Sequence, residues 1–199
     1  MGHGMKPGER IANRTKTAIK QALLELIHEM NYPKITVGQL TDKADVGRST
    51  LYRHYPSKAD VLVEIHKDIF ETLFKNRITD EFCDNADPPK EWVDFFESYK
   101  TLGINPFSLN YKLGKDLDYL MNQIGRTLCV VIEDRLAGLY GPGDNGIPLS
   151  VLSQSMASSF SGLVMAWFLE FQKGDAYHYA VYVKRLIVAM VNEAVHDEI

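Results

Sequence analysis

Between Thr36 and Ser57 the chain opens and closes two short helices in quick succession, and that punctuation leaves few folds available. Thr36-Val37-Gly38-Gln39 has the form of a capping box, with a hydroxyl at the N-cap and a side-chain amide three residues on that can reach back. The spacing ends this helix near Ala44. Asp45-Val46-Gly47 reads as a tight turn, and a second helix runs from about Arg48 to His54. Tyr55-Pro56 stops it, because proline disfavours helical geometry in the residue before it. Ser57 then caps a long helix predicted through about Thr79. Upstream, Thr15, Ile19, Ala22, Leu23, Leu26, Ile27 and Met30 recur at helical spacing and give residues 10–30 one apolar face. Two short helices joined by a tight turn behind a longer support make a helix-turn-helix. Val37, Leu40, Ala44, Val46 and Leu51 are its expected packing residues, and the small Ala44 allows close approach. Arg48, Ser49, Tyr52 and Arg53 are left on the outer face.

The rest of the chain is also helical. No strand alternation of useful length and no internal repeat is visible. Asp84 to Pro89 is a polar break, and residues 91–102 form a helix bearing Trp92, Phe95, Phe96, Tyr99 and Leu102. After Gly103-Ile104-Asn105-Pro106, a helix spans about Asp116 to Tyr140, and residues 141–146 form a loop. Helices over Leu149–Gln172 and Ala176–Val195 close the chain. The fold class is therefore all-α: a flexible leader over 1–8, a three-helix head over 9–58, and a helical body over 59–199.

Charge separates head from body. Residues 1–58 hold ten Lys and Arg against five Asp and Glu, whereas 59–199 hold twelve against twenty-one. A basic head on an acidic body points to a polyanionic partner for the head alone. The α-helix fits the DNA major groove, where Arg pairs bidentately with guanine O6 and N7. Hydroxyls, Tyr and Lys satisfy phosphate oxygens and fix register.

Several function classes fall away. Cys83 and Cys129 are too few for a disulfide framework and lack zinc-site spacing, which fits a reducing cytoplasm. His28, His66, His178 and His196 lack partners at ligand spacing, so no metal and no cofactor is expected. Nucleophile-elbow, P-loop, dinucleotide and zinc-hydrolase patterns are absent, and no enzyme is expected. The first residues are too polar for a signal peptide, and Lys6 stands where myristoylation needs Ser or Thr. Asn145 to Leu169 is free of charge, but its longest apolar run, Leu163–Leu169, is too short to span a bilayer.

The run Thr36-Val37-x-x-Leu40-x-x-x-Ala44-x-Val46-x-Arg48-x-Thr50-Leu51-Tyr52-Arg53-His54-Tyr55-Pro56-Ser57-Lys58-x-x-x-Leu62 resembles the TetR/AcrR family of bacterial transcriptional regulators. Two positions depart from the family pattern. Asp45 stands where the turn glycine is usual, and aspartate tolerates the left-handed conformation better than most residues. Gly47 stands where a capping Ser or Thr is usual.

The resemblance implies a dimeric, cytoplasmic regulator, a repressor, that binds double-stranded DNA at a near-palindromic operator. It implies phosphate contacts from Thr36, Tyr52, His54 and Lys58, and base contacts from Arg48, Ser49 and Arg53. Thr50 joins them as a candidate DNA-binding residue, and Arg10 and Arg14 could reach the duplex from the first helix. It also implies a second domain that pairs the subunits, through Leu163, Trp167, Leu186 and Met190. A small apolar or aromatic effector would lie among Phe95, Tyr99, Tyr119, Ile124, Met156 and Phe160. Phe160-Ser161-Gly162-Leu163-x-x-Ala166-Trp167-Phe168-Leu169 further resembles the closing domain of a TetR subgroup with members that regulate dihydroxyacetone-kinase systems. The alternative is a DNA-anchored adaptor or coactivator whose body binds another protein.

Overall fold

The protein is described from a computed structural model, covering residues 7–76, 78–102, 113–137, 147–171 and 173–195. Those residues are helical and contain no strand. Helix α1 spans Pro7–Glu29, and a single 3-10 turn, Tyr32–Lys34, separates it from α2 (Val37–Lys43). Then come α3 (Arg48–His54), α4 (Lys58–Leu73), α5 (Asp80–Asp84) and α6 (Lys90–Leu102). A second 3-10 turn, Gly114–Asp116, leads into α7 (Leu117–Leu136). Helix α8 (Leu149–Ala166) runs into a π-helical turn, Trp167–Phe171, and α9 (Ala176–Val195) follows.

The chain divides into two compact units. Among the described residues, unit one comprises 7–66 and 113–120, and unit two holds the others. The division thus falls inside α4, and unit one recruits a segment from far along the sequence. Gly114 explains how that segment fits. It has a φ of +59°, and a β-carbon there would lie 3.1 Å from Pro33, so glycine answers both the backbone and the contact.

In unit one, α1 buries Ile19, Ala22, Leu23 and Leu26, the centre of the apolar face read from the sequence. Helix α2 packs on α1 and α3 on α2, with Leu40, Ala44 and Leu51 buried; Val37 and Val46 are half-buried.

Unit two is built on aromatic rings. Trp92 from α6 meets Phe74 and Phe160 edge-on, with centroids 5.5 Å away in each case. Trp167, Phe96 and Tyr179 form a second cluster at 4.8–5.4 Å. Each buried polar tip finds a backbone acceptor: Trp92 Nε1 donates to Leu73 O at 2.8 Å, Trp167 Nε1 to Phe96 O at 3.1 Å and Tyr179 Oη to Leu163 O at 2.6 Å.

Helix α4 ends at Leu73, not near Thr79. A continuing helix would pair the Ile78 amide with the Phe74 carbonyl. Arg135 of α7 takes both: its Nε donates to Phe74 O, and its carbonyl accepts from Ile78 N at 3.1 Å. Thr79 is instead the N-cap of α5, its hydroxyl accepting from Phe82 N at 3.3 Å. Helix α7 is described to Leu136; its expected end at Tyr140 and the loop expected at 141–146 lie outside the described residues.

Lys184 sits in the buried face of α9 and is only 3% exposed. Its ammonium donates to the carbonyls of Asn85 and Asp87 and lies 4.8 Å from the centre of the Phe82 ring. Burial pushes its pKa below the ordinary lysine value.

Trp92 combines packing with a buried hydrogen bond, and two replacements separate these. Trp92→Ala should cost roughly 3–5 kcal/mol of unfolding free energy. Trp92→Phe keeps a ring but orphans the Leu73 carbonyl, and should cost about 1–3 kcal/mol. Denaturant unfolding measures both; no loss in Trp92→Phe would mean the hydrogen bond adds nothing, and equal losses would mean the ring packing adds nothing beyond it.

Candidate nucleic-acid interface

The helix-turn-helix is capped as the sequence implies. The Thr36 hydroxyl accepts from Gln39 N at 3.2 Å, and Gln39 Oε1 accepts from Thr36 N at 2.9 Å. Helix α2 closes with Asp45 in the left-handed region, at φ 52°. The Val46 amide returns to Thr41 O at 3.0 Å and the Asp45 amide to Asp42 O at 3.3 Å, the two bonds of a Schellman motif. Its left-handed residue is usually glycine, and here aspartate takes that place. Buried Thr41 spends its hydroxyl on the Val37 and Gly38 carbonyls. Gly47 caps α3 with extended backbone and no side-chain bond.

Helix α3 divides cleanly. Leu51 is fully buried, while Arg48, Ser49, Tyr52 and Arg53 are exposed, Tyr52 by 53%. Thr50 and His54 are half-buried. Among the described residues, Arg48, Ser49, Thr50, Tyr52 and Arg53 have no hydrogen-bond or ionic partner. That makes a row of donors, two of which carry positive charge, along the exposed face of α3. His54 keeps a tilted ring contact with Tyr55, centroids 6.5 Å apart. Arg10 and Arg14 are exposed on α1.

Thr36 and Lys58 are placed differently. The Thr36 hydroxyl is occupied in the capping box, where it also donates to Gln39 Oε1 at 2.9 Å. Lys58 is half-buried. Its Nζ donates to Tyr32 O and Ile35 O, both at 2.8 Å, and sits 4.2 Å from the Tyr32 ring centre. Burial lowers its pKa from the ordinary lysine value. Lys58 therefore ties the start of α4 to the turn that leads into α2. Tyr32 in turn donates to Asp116 Oδ2 at 3.0 Å, which with burial raises its pKa.

A second such link has no local sequence signal: Tyr119 Oη donates to Asp60 Oδ1 at 2.5 Å, and Asp60 also accepts from Ser57 Oγ at 2.7 Å. The Ser57 hydroxyl accepts from the Ala59 amide at 3.1 Å, as a cap of α4. Lys16 grips Glu64 through both carboxylate oxygens, at 3.1 and 3.2 Å. Burial alone would raise the Glu64 pKa, but the bonds from Lys16 outweigh it and hold the carboxyl below its usual value.

The residues expected in the body scatter. Met156 and Phe160 are fully buried in the unit-two core, and Phe95 and Ile124 pack against its margin. Tyr119 belongs to unit one, and the Tyr99 side chain lies outside the described residues. Trp167 is also fully buried, which takes it away from any surface. Leu163, Leu186 and Met190 come together with Ser159 and Gly162 around one open groove. Among the described residues, no group of three or more His, Cys, Asp and Glu could hold a metal, and no helix is long and apolar enough to cross a membrane.

Residues 19–65 match the model of a family described as bacterial regulatory proteins, tetR family. A nucleoid occlusion factor, SlmA, of Alteromonas mediterranea is 36% identical over 81 residues, which are 40% of this chain and 41% of that protein. The factor of the same name from a Marinomonas species is 37% identical over 71 residues. The chain thus spans about two fifths of the length of the curated relatives it matches. A TetR transcriptional regulator from Streptococcus agalactiae is 30% identical across 90% of this chain and 97% of that one, with a TM-score of 0.51. The fold is shared with the Thermus thermophilus FadR repressor, solved with lauroyl-CoA, at 16% identity over 87% of this chain and 93% of that one, with a TM-score of 0.53.

Two measurements test the geometry of the turn and its support. Asp45→Gly should hold or raise stability, whereas Asp45→Val forces a branched residue into a left-handed φ and should cost about 1–2 kcal/mol in thermal unfolding. The lowered Glu64 pKa contributes stability above pH 4.5 that disappears as pH falls through the folded-state value. Glu64→Gln should therefore be less stable at neutral pH and lose less on acidification; parallel curves would show that the Lys16 pair contributes nothing.

Proposed function

The chain belongs to the TetR family of bacterial regulatory proteins, which are DNA-binding transcriptional regulators, and from that we propose that it is a homodimeric repressor reading a near-palindromic operator through α3. The observation that carries this reading is the unpartnered row Arg48, Ser49, Thr50, Tyr52 and Arg53. Arg48 and Ser49 face base edges, with Arg53 beside them; Tyr52 and His54 meet phosphates. Lys58 and Thr36 serve the interface by holding α2 and α4 in place, and what is left of their donor and acceptor capacity is available to phosphate.

Two copies of α3 must enter successive major grooves, roughly 34–36 Å apart. The groove around Leu163, Leu186 and Met190 supports pairing between subunits: it is apolar, and Leu186 is 51% exposed there. A small apolar or aromatic effector that binds one spacing better than the other would lower DNA affinity by that difference. Half-buried Phe95 and Ile124 mark the core margin where it would enter. The protein acts in the cytoplasm and carries no catalytic activity.

A second reading draws on the likeness to a nucleoid occlusion factor: a DNA-anchored adaptor whose body holds another protein. Recovery of a stoichiometric partner protein with the DNA-bound dimer, together with indifference to small ligands, would favour it.

Selection of bound duplexes from a random pool tests the main reading. The wild-type protein should yield a near-palindrome. Arg48→Ala should relax preference at one base pair per half-site and cost about 1–3 kcal/mol there. Arg53→Ala should likewise relax base preference, rather than weaken binding to every duplex alike. An unchanged consensus with Arg48→Ala removes Arg48 as a base reader.

A further inference from the structure

Gly38 is the second residue of α2, and nothing about its backbone asks for glycine: among the described glycines, Gly114 is the one with positive φ. Helix propensity disfavours glycine at such a position. What occupies the vacant side-chain space is Arg48. A β-carbon on Gly38 would lie 3.2 Å from the Arg48 guanidinium nitrogen NH2 and 3.8 Å from Thr36 Oγ1. The first distance is tighter than ordinary van der Waals contact, so even alanine at 38 obliges the guanidinium to give by a few tenths of an ångström, and a longer side chain obliges it to leave. Arg48 has no other hold among the described residues, since it makes no hydrogen bond or ion pair.

We propose that Gly38 is a positioning residue for base recognition: by lacking a side chain it lets the Arg48 guanidinium lie back across the start of α2, and so sets the plane from which the arginine meets a guanine edge. The proposal rests on the reading of Arg48 as a base reader. Bidentate pairing with O6 and N7 requires the guanidinium plane to match the plane of the base. An arginine side chain turns about four bonds, so a flat support beneath it narrows the planes it can present. Gly38 touches no base itself and acts through Arg48 alone.

The test compares Gly38→Ala, Gly38→Leu, Arg48→Ala and the double variant Gly38→Ala/Arg48→Ala in the full chain. The Gly38 replacements alter no charge and leave the electrostatic attraction to phosphate unchanged. Gly38→Ala should melt at or above the wild-type temperature, because alanine is the better helix former. Its affinity for the selected duplex should fall roughly three- to tenfold, with preference relaxed at the base pair that Arg48→Ala relaxes. Affinity for random duplex should hold, and Gly38→Leu should lose more. In the Arg48→Ala background, Gly38→Ala should have no further effect.

Four outcomes overturn the proposal. Wild-type affinity and preference in Gly38→Ala would show that Arg48 needs no such support. Equal weakening on every duplex, persisting without Arg48, would mean that Gly38 makes room for a phosphate. A lower melting temperature would mean that glycine serves the fold. If Arg48→Ala itself leaves the consensus intact, the base-reading role fails first and the proposal with it; an effect of Arg48→Ala with none of Gly38→Ala sinks the proposal alone.

Discussion

A helix of seven residues does not persist in water, because nucleation costs more than so few hydrogen bonds return. This chain sets two of them side by side, α2 and α3. Their existence depends on burial of Leu40 and Leu51, both fully removed from solvent. The Schellman closure at Asp45 fixes where the second helix leaves the first, and Ala44 gives the room for it. With the inward face thus committed, the outward face of α3 has no structural task. Five polar side chains can stand there without partners because the hold on the helix comes entirely from its other side.

The same economy of roles runs through the supports. Lys58 places its charge on two carbonyls and an aromatic ring. Lys184 does likewise in unit two, with the carbonyls of Asn85 and Asp87 and the Phe82 ring. In each case a lysine gathers a short connection between α-helices. A buried ammonium is costly unless hydrogen-bonded, and both have two carbonyl acceptors.

Local signals were legible in the sequence wherever neighbours along the chain decide the structure. The capping box, the turn at Asp45, the bounds of α3 and of α9, and the buried stripe of α1 all follow from spacing and cap chemistry. What escaped was decided by partners distant in sequence. Arg135 ends α4 from about sixty residues away. An apolar pattern also cannot say what a buried ring faces. Phe160 and Met156 look alike as pocket lining or as core, and Trp167 as interface or as core; contact with Phe74, Trp92 and Phe96 decides for the core. Of the recognition surface, Arg48, Ser49, Tyr52 and Arg53 stand outward as the pattern implies. Lys58 shows the limit of that approach, since a basic residue beside a motif can also serve the motif's own scaffolding.

The head is not one continuous stretch of chain. Tyr32 and Asp60 hand their polar groups to Asp116 and Tyr119, which arrive only after fifty further residues have been laid down. A gene fragment cut after α4 would encode all of α3 and its exposed row of side chains yet leave those two hydrogen bonds without partners. Chimeras that graft this head onto a foreign body would need to carry the 113–120 segment as well. During synthesis on the ribosome, the head likewise cannot complete its own bonding until the body is half made.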